Sequence, residues 1–220
     1  MDYTETVADG GRAMVAHRKE KTSLAEFLAL PNDENMHEFV RGEIRVSPIP
    51  KGSHGWIESI INGVIYAYLT SRARDLGWLP EQGLVVRWRL VGFVASGKLG
   101  IHFTLPDDPD QVRGVDVAYI PAEQYVRSGW DHHGYFPAVP GLVVEVITLS
   151  DEKADIEEKR RDYLVGGAQR LWTVYPVRAE VHIHDPYAPT RALRLDDTLT
   201  DEELLPSFAL PLRLIFPPAP

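Results

Sequence analysis

GVDVAYI (114–120) and PGLVVEVITLSD (140–151) decide the fold. Each contains a compact apolar run rich in β-branched residues and bounded by turn residues, the pattern of a strand buried on both faces. Each also carries one carboxylate where the run should be apolar: Asp116 between Val115 and Val117, and Glu145 between Val144 and Val146. An unpaired buried carboxylate is costly enough that it is normally paired, neutralised or bound to a metal. Either each acid points out from an edge strand, or the two share a site. Their presence in two separate core-like strands favours a shared site.

Working outward toward the C-terminus, Ser150 to about Val165 reads as a charged helix, with Ser150 as N-cap and acids in its first turn. Ile156, Lys159 and Tyr163 lie at i, i+3 and i+7, so Lys159 takes the middle of the inward stripe. A lysine there would balance two carboxylates; otherwise it is solvated beside Glu158 and Arg160. RLWTVYP (170–176), AEVHIHD (179–185) and TRALRL (190–195) read as further strands, before a short C-terminal segment and a Pro-rich tail at 217–220.

Toward the N-terminus, VDVAYI is preceded by PDDPDQVRG (106–114), a turn-rich loop, and GFVASGKLGIHFTL (92–105), a strand or hairpin. LVVRWRL (84–90) alternates as a strand. Residues 54–77 give the clearest helix: Ile57, Ile60, Ile61, Val64, Ile65, Tyr68 and Leu69 recur at three- and four-residue steps, with Gly77 at the C-cap. MHEFVRGEIRVSPIP (36–50) reads as a hairpin turning at Arg41-Gly42, and its Glu38 is either plain surface or a further member of the site. Ser23 and Glu26 predict a capped short helix closed by Pro31. Residues 1–21 lack periodicity and are expected to form a flexible N-terminal arm. PAEQYV (121–126) opens a helix with Pro121 at its first position. The order of elements predicts one α/β (α+β) domain over 22–216, a mixed central β-sheet flanked by helices.

The chain has 220 residues, a net charge of −9 and no cysteine, which excludes a disulfide scaffold, a cysteine nucleophile and thiolate metal sites. No apolar run approaches the ~18 residues of a membrane span, and no signal peptide is read, so a soluble, cytoplasmic protein is expected. The acidic balance opposes wholesale nucleic-acid binding, although Arg72 and Arg74, Arg87 and Arg89, and Arg160 and Arg161 could form a local basic track. Clustered carboxylates suit Mg²⁺ or Mn²⁺, hard ions that polarise a phosphoryl oxygen and activate a bound water. A nearby lysine can orient that water and stabilise a pentavalent phosphorus transition state.

The stretches TSLAEFLALPNDENMHEFVRGEIRVSP, the helix from His54, GVDVAYI, PGLVVEVITLSD, EKRRDYLVGGAQRLWTVYP and FALPLRLIF together resemble the Uma2 restriction endonuclease family of the PD-(D/E)XK nuclease superfamily, over about residues 22–216. The resemblance implies a restriction-endonuclease-like core and metal-dependent cleavage of DNA, with a homodimer expected. It implies Asp116 and Glu145 as the family's first and second acids, Lys159 as its lysine displaced onto the following helix, and Glu38 as the hairpin glutamate. Val115 stands where a proline is usual, Ile147-Thr148-Leu149 replaces a Leu-Ser-Pro run, and Arg170 and Tyr175 replace acids; none of these is a candidate ligand.

The candidate set is therefore Asp116, Glu145 and Glu38 toward a Mg²⁺ or Mn²⁺ ion and Lys159 beside the attacking water. The mechanism requires the Asp116 and Glu145 carboxylates to lie within about 6 Å, on one face of the sheet. His182 and His184 share a strand face and could bind zinc with Asp185, but edge histidines more often do not. The five tryptophans read as core or interface anchors. The rival reading is a catalytically inactive, nuclease-like dimeric binding or assembly protein; a third is a hydrolase of a small phosphoester.

Overall fold

The computed structural model describes residues 16–17, 21–31, 35–47 and 52–216. The expected arm lies mostly outside them, as does the 217–220 tail. Within the arm, β1 (Ala16–His17) pairs with a later hairpin strand. α1 (Leu24–Leu28) carries the expected capping box between Ser23 and Glu26. β2 (Met36–Val40) and β3 (Glu43–Ser47) form the hairpin, turning through Arg41 (φ 51°) and Gly42 (φ 79°). A non-glycine residue with positive φ needs support. Arg41 has it: its N–H donates to Asp108 at 2.7 Å and its guanidinium bonds Asp162 and Glu158.

α2 (His54–Asp75) buries Ile57, Ile61, Ile65, Leu69 and Ala73, one residue per turn on one side. That side packs on Val117, Tyr119, Val144 and Trp172 of the sheet. α3 (Leu84–Val91) overturns the strand expected at 84–90. The alternation there is real, but burial falls at i, i+4, on Arg87 and Val91. Arg87 lies over the Tyr66 ring and donates to Thr70 on α2, a one-sided contact that a helix meets and a strand does not. Gly83 and Gly92, both at positive φ, punctuate its ends.

β4 (Phe93–Leu105) and β5 (Asp108–Ile120) form a long hairpin. The expected 106–114 loop shrinks to a turn, because buried Asp108 is tied to the Arg41 turn and the strand begins there. α4 (Ala122–Ser128) follows, with Pro121 as its N-cap, one place earlier than expected. β6 (Leu142–Val146) is wholly buried, as predicted. α5 (Lys153–Val165) starts after Glu152 and not at Ser150, since Thr148 donates its N–H and hydroxyl to Asp151 in a separate turn. β7 (Arg170–Tyr175), β8 (Glu180–His184) and β9 (Arg191–Arg194) complete the main sheet, and β10 (Thr198–Asp201) with β11 (Leu205–Pro211) makes a separate hairpin.

The main sheet runs β1-β3-β2-β5-β6-β7-β8-β9, with β4 on the free edge of β5 and only β6–β7 parallel. It is a mixed sheet with helices on its faces, as the sequence predicts. α2 and the β10–β11 hairpin cover one face; α4 and α5 share a second apolar cluster with Phe103, Val143 and Leu171 on the other. Arg170, where the family pattern has an acid, ties the hairpin to β7 through Asp201 and Glu203.

Candidate active site at the strand fork

The sheet forks beside β5. β2 pairs with β5 at Phe39↔Val112, whereas β6 takes the same side further on, from Val117↔Val144 to Tyr119↔Leu142. Residues 113–116 therefore face a gap with no strand ladder, and buried backbone groups there need other partners. Carboxylates supply them: Gly114 N–H donates to Glu38 at 3.2 Å, and Val146 N–H donates to Asp116 at 2.8 Å. Acids sit inside these strands because the fork leaves donors to satisfy.

The register continues the argument. The β5–β6 pairing ends at Val117↔Val144, so Asp116 and Glu145 are the next residues of the two strands where they part, near enough that the Asp116 charge acts on the Glu145 carboxyl. From α5, one turn apart, Lys159 and Tyr163 reach the same place. Lys159 Nζ lies 3.5 Å from Glu145 Oε2 and 3.4 Å from Glu38 Oε1, and Tyr163 donates its hydroxyl to Glu145 Oε1 at 2.7 Å. Glu38, readable from sequence as either surface or site, is 3 % exposed and belongs to this group. All four candidates come together.

Electrostatics separates Glu145 from Glu38. Burial is the largest influence on Glu145; Lys159 pulls against it, Asp116 adds repulsion, and the carboxyl is pushed up to about 7. Burial would raise Glu38 as well, but Lys159, Arg113 and the Gly114 N–H outweigh it and hold that carboxyl below its ordinary value. Lys159 is itself raised: burial opposes its charge, and Glu145 and Glu38 more than compensate.

Two groups escaped the sequence reading. His54, at the start of α2, brings Nε2 to 3.1 Å from Asp116 Oδ2, while its Nδ1 lies 3.3 Å from Glu58 Oε1. The only available signal was a His–Glu pair at i, i+4 in a helix's first turn. Among the described residues, this is the group of His and acidic side chains close enough to hold a metal, with ligand atoms within 4.8 Å of one another. The second is a buried lattice of charge behind the site. Asp162 accepts from Arg113 at 2.6 Å, Arg41 at 2.9 Å and Gln111 at 3.1 Å, and Glu158 joins Arg41 and Arg45.

The alternatives weighed in the sequence are not supported here. His184 is no zinc ligand: its two ring nitrogens face Thr173 and Thr190, Asp185 is taken by Arg170, and burial lowers the ring's pKa to about 4. The basic track also dissolves. Arg87 is buried, Arg160 pairs with Glu157, Arg161 with Asp162, and Arg72 and Arg74 lie some 18 residues, or about 27 Å, along α2 from His54.

These features can be set beside known proteins. The Uma2 family, described as "Putative restriction endonuclease", matches residues 24–213. The chain belongs to this family. A crystal structure described as a "putative nuclease belonging to DUF820 from Anabaena variabilis" has the same fold, with a TM-score of 0.66 at 20% identity, covering 88% of this chain and 96% of that one. A comparison with curated proteins gave no match. Among the described residues no helix is long and apolar enough to cross a membrane. Within the Uma2 fold, the fork is where three strands and two helices deliver acids, a lysine and an imidazole to one point.

Proposed function

We propose that this chain is a divalent-metal-dependent endodeoxyribonuclease that hydrolyses DNA phosphodiester bonds. The observation that carries the reading is the fork itself: Glu38, Asp116 and Glu145 from three strands, gathered around Lys159. The donor set fits a hard cation. Asp116 and Glu145 stand next to the end of the β5–β6 pairing, are buried, and repel, a cost that a shared ion would relieve. Mg²⁺ or Mn²⁺ held there would polarise the phosphoryl oxygen and acidify a bound water.

The remaining work falls to the chain's own groups. Tyr163, hydrogen-bonded to Glu145 Oε1, fixes that carboxylate and leaves Oε2 toward Lys159. Glu38, anchored by Gly114 and Arg113, holds the lysine from the other side. Lys159 Nζ, charged and half-buried between them, is placed to hydrogen-bond the attacking water and to offset charge building on phosphorus. The water oxygen bonds to phosphorus as its proton passes to a carboxylate or solvent, the bond from phosphorus to the leaving ester oxygen breaks, and that oxygen takes a proton from solvent to leave as an alcohol.

The test is cleavage of single- and double-stranded DNA with Mg²⁺ and with Mn²⁺. Wild type should cut, and Asp116→Asn and Lys159→Ala should each lose at least ~100-fold. Cutting that survives both substitutions exposes a contaminant. Wild type inert on every DNA and RNA would favour the second reading, a nuclease-like dimeric binding module. That reading has its own observation: α3 exposes Leu84, Val85, Val86 and Leu90. A homodimer through this face is compatible with either activity.

A further inference from the structure

His54 Nε2 and Asp116 Oδ2 face each other at 3.1 Å. An unprotonated ring nitrogen and a carboxylate oxygen are both acceptors, so at this distance either Nε2 carries a hydrogen that it donates to Asp116 or a metal ion stands between them. The spacing has a second meaning. Ligands at about 2.1 Å in adjacent corners of a six-coordinate ion lie about 3 Å from each other. The other ring nitrogen faces a carboxylate: Nδ1 lies 3.3 Å from Glu58 Oε1, one helical turn on. Metal-binding histidines commonly have such an outer carboxylate, which on closing to a hydrogen bond accepts Nδ1–H, fixes the tautomer and turns the Nε2 lone pair toward the ion. His54 and Asp116 are both buried and, with Glu58, offer ligand atoms within 4.8 Å of one another, while Glu145 is the next β6 residue beyond the end of the β5–β6 pairing.

We propose that His54 is a direct ligand of the divalent ion, sharing it with Asp116, that Glu58 is its positioning residue, and that the site therefore prefers Mn²⁺ over Mg²⁺. This rests on the metal-dependent reading above and narrows it. Imidazole suits Mn²⁺ and the later transition ions, whereas Mg²⁺ takes oxygen ligands almost exclusively. An all-carboxylate site would not discriminate in this way.

The test measures binding and needs no turnover. Untagged, metal-free protein is titrated with Mn²⁺ and, separately, Mg²⁺ by calorimetry, and the Mn²⁺ form is examined by pulsed electron paramagnetic resonance for coupling to ¹⁴N. Wild type should show a coupled nitrogen and a Mn²⁺ preference. His54→Gln should lose the nitrogen signal and cut the preference at least about tenfold, while Glu58→Gln should keep the signal and weaken Mn²⁺ binding by about 10- to 100-fold. Wild-type Mn²⁺ bound with oxygen ligands alone, or no Mn²⁺ bound at millimolar concentration, overturns the assignment without recourse to any variant. The two readings fail separately. A coupled nitrogen in a protein that cuts no DNA supports His54 and sinks the nuclease; cleavage supported by an all-oxygen ion does the reverse.

Discussion

At the scale of single residues, burial decides the charge of Glu145 and with it the pH dependence of stability. In metal-free protein its carboxyl titrates near 7, against 4.5 for an ordinary glutamate. As pH rises through this interval the unfolded chain has already released the proton and the folded chain has not, so stability falls between about 4.5 and 7 and the loss is complete above 7. Glu145→Gln has no such proton to lose. With EDTA present, its melting temperature should gain on wild type as pH rises from 4.5 to 8, by an amount worth at most about 3 kcal/mol, while nuclease activity is lost. A difference that does not move with pH would mean the carboxylate is not held protonated by burial. Asp162 is the opposite case, a buried acid that three arginines keep ionised, with its pKa below the usual range. Asp162→Asn leaves the fully buried Arg113 short of charge and should cost roughly 3–5 kcal/mol, read as a shifted urea midpoint. Asp116, Glu145 and Lys159 were legible in the sequence because each breaks an apolar pattern. Glu38 was only half legible, since an acid in an alternating hairpin looks the same facing water or facing a lysine. His54 and Glu58 broke no pattern at all, and Arg113 lies in VRG, a stretch that reads as ordinary turn sequence.

At the scale of elements, what failed was the choice between two periods. VVRWR fits a strand by alternation, and only the partner decides: α2 presents the Tyr66 ring and the Thr70 hydroxyl as one stripe, and α3 lays Arg87 along it. Its glycines were the signal for a bounded short helix, and they differ in a way that can be tested. A Cβ on Gly92 would sit 2.1 Å from the Ile120 carbonyl oxygen at the end of β5, whereas a Cβ on Gly83 meets nothing within 4 Å. Both have φ near +80°, so each alanine incurs backbone strain of about 1–3 kcal/mol, but only Gly92→Ala also displaces backbone. Thermal melts should show Gly83→Ala modestly destabilised and Gly92→Ala severely so; equal losses would mean that strain alone sets the cost. The buried strands β5, β6 and β7 were read well, because apolar runs with turn residues at both ends leave few alternatives, whereas the β10–β11 hairpin was read only as a short C-terminal segment. Their pairing was not read, and pairing is what makes the site: nothing in the sequence of β2 says that it leaves β5 at Val112, or that β6 arrives at Val117.

At the scale of the whole molecule, arginines counted along the chain proved a poor guide to where charge is available. Behind the fork, Arg41, Arg45 and Arg113 are consumed by Asp162, Glu158 and Glu38, so they shape the site and do not offer it free positive charge. The same census points elsewhere for self-association. Between Leu76 and Val91 the chain carries a single acid, Glu81, although the whole protein has 32 Asp and Glu and a net charge of −9. Much of the repulsion that would keep two copies apart is missing there, and Leu76, Leu79, Leu84, Val85, Val86 and Leu90 in that stretch are exposed. Val86 and Leu90 lie four residues apart on α3, on one side of the helix, exposed and outside the buried clusters of the core. Replacing both with glutamate should therefore leave the melting temperature within about 2 °C while setting two pairs of charges against each other across a two-fold axis. Light scattering should find wild type at twice the 24.7 kDa chain mass and the double variant at one chain mass. Wild type that stays monomeric at high concentration would remove the dimer from the proposal, and a double variant still dimeric would move the interface off α3.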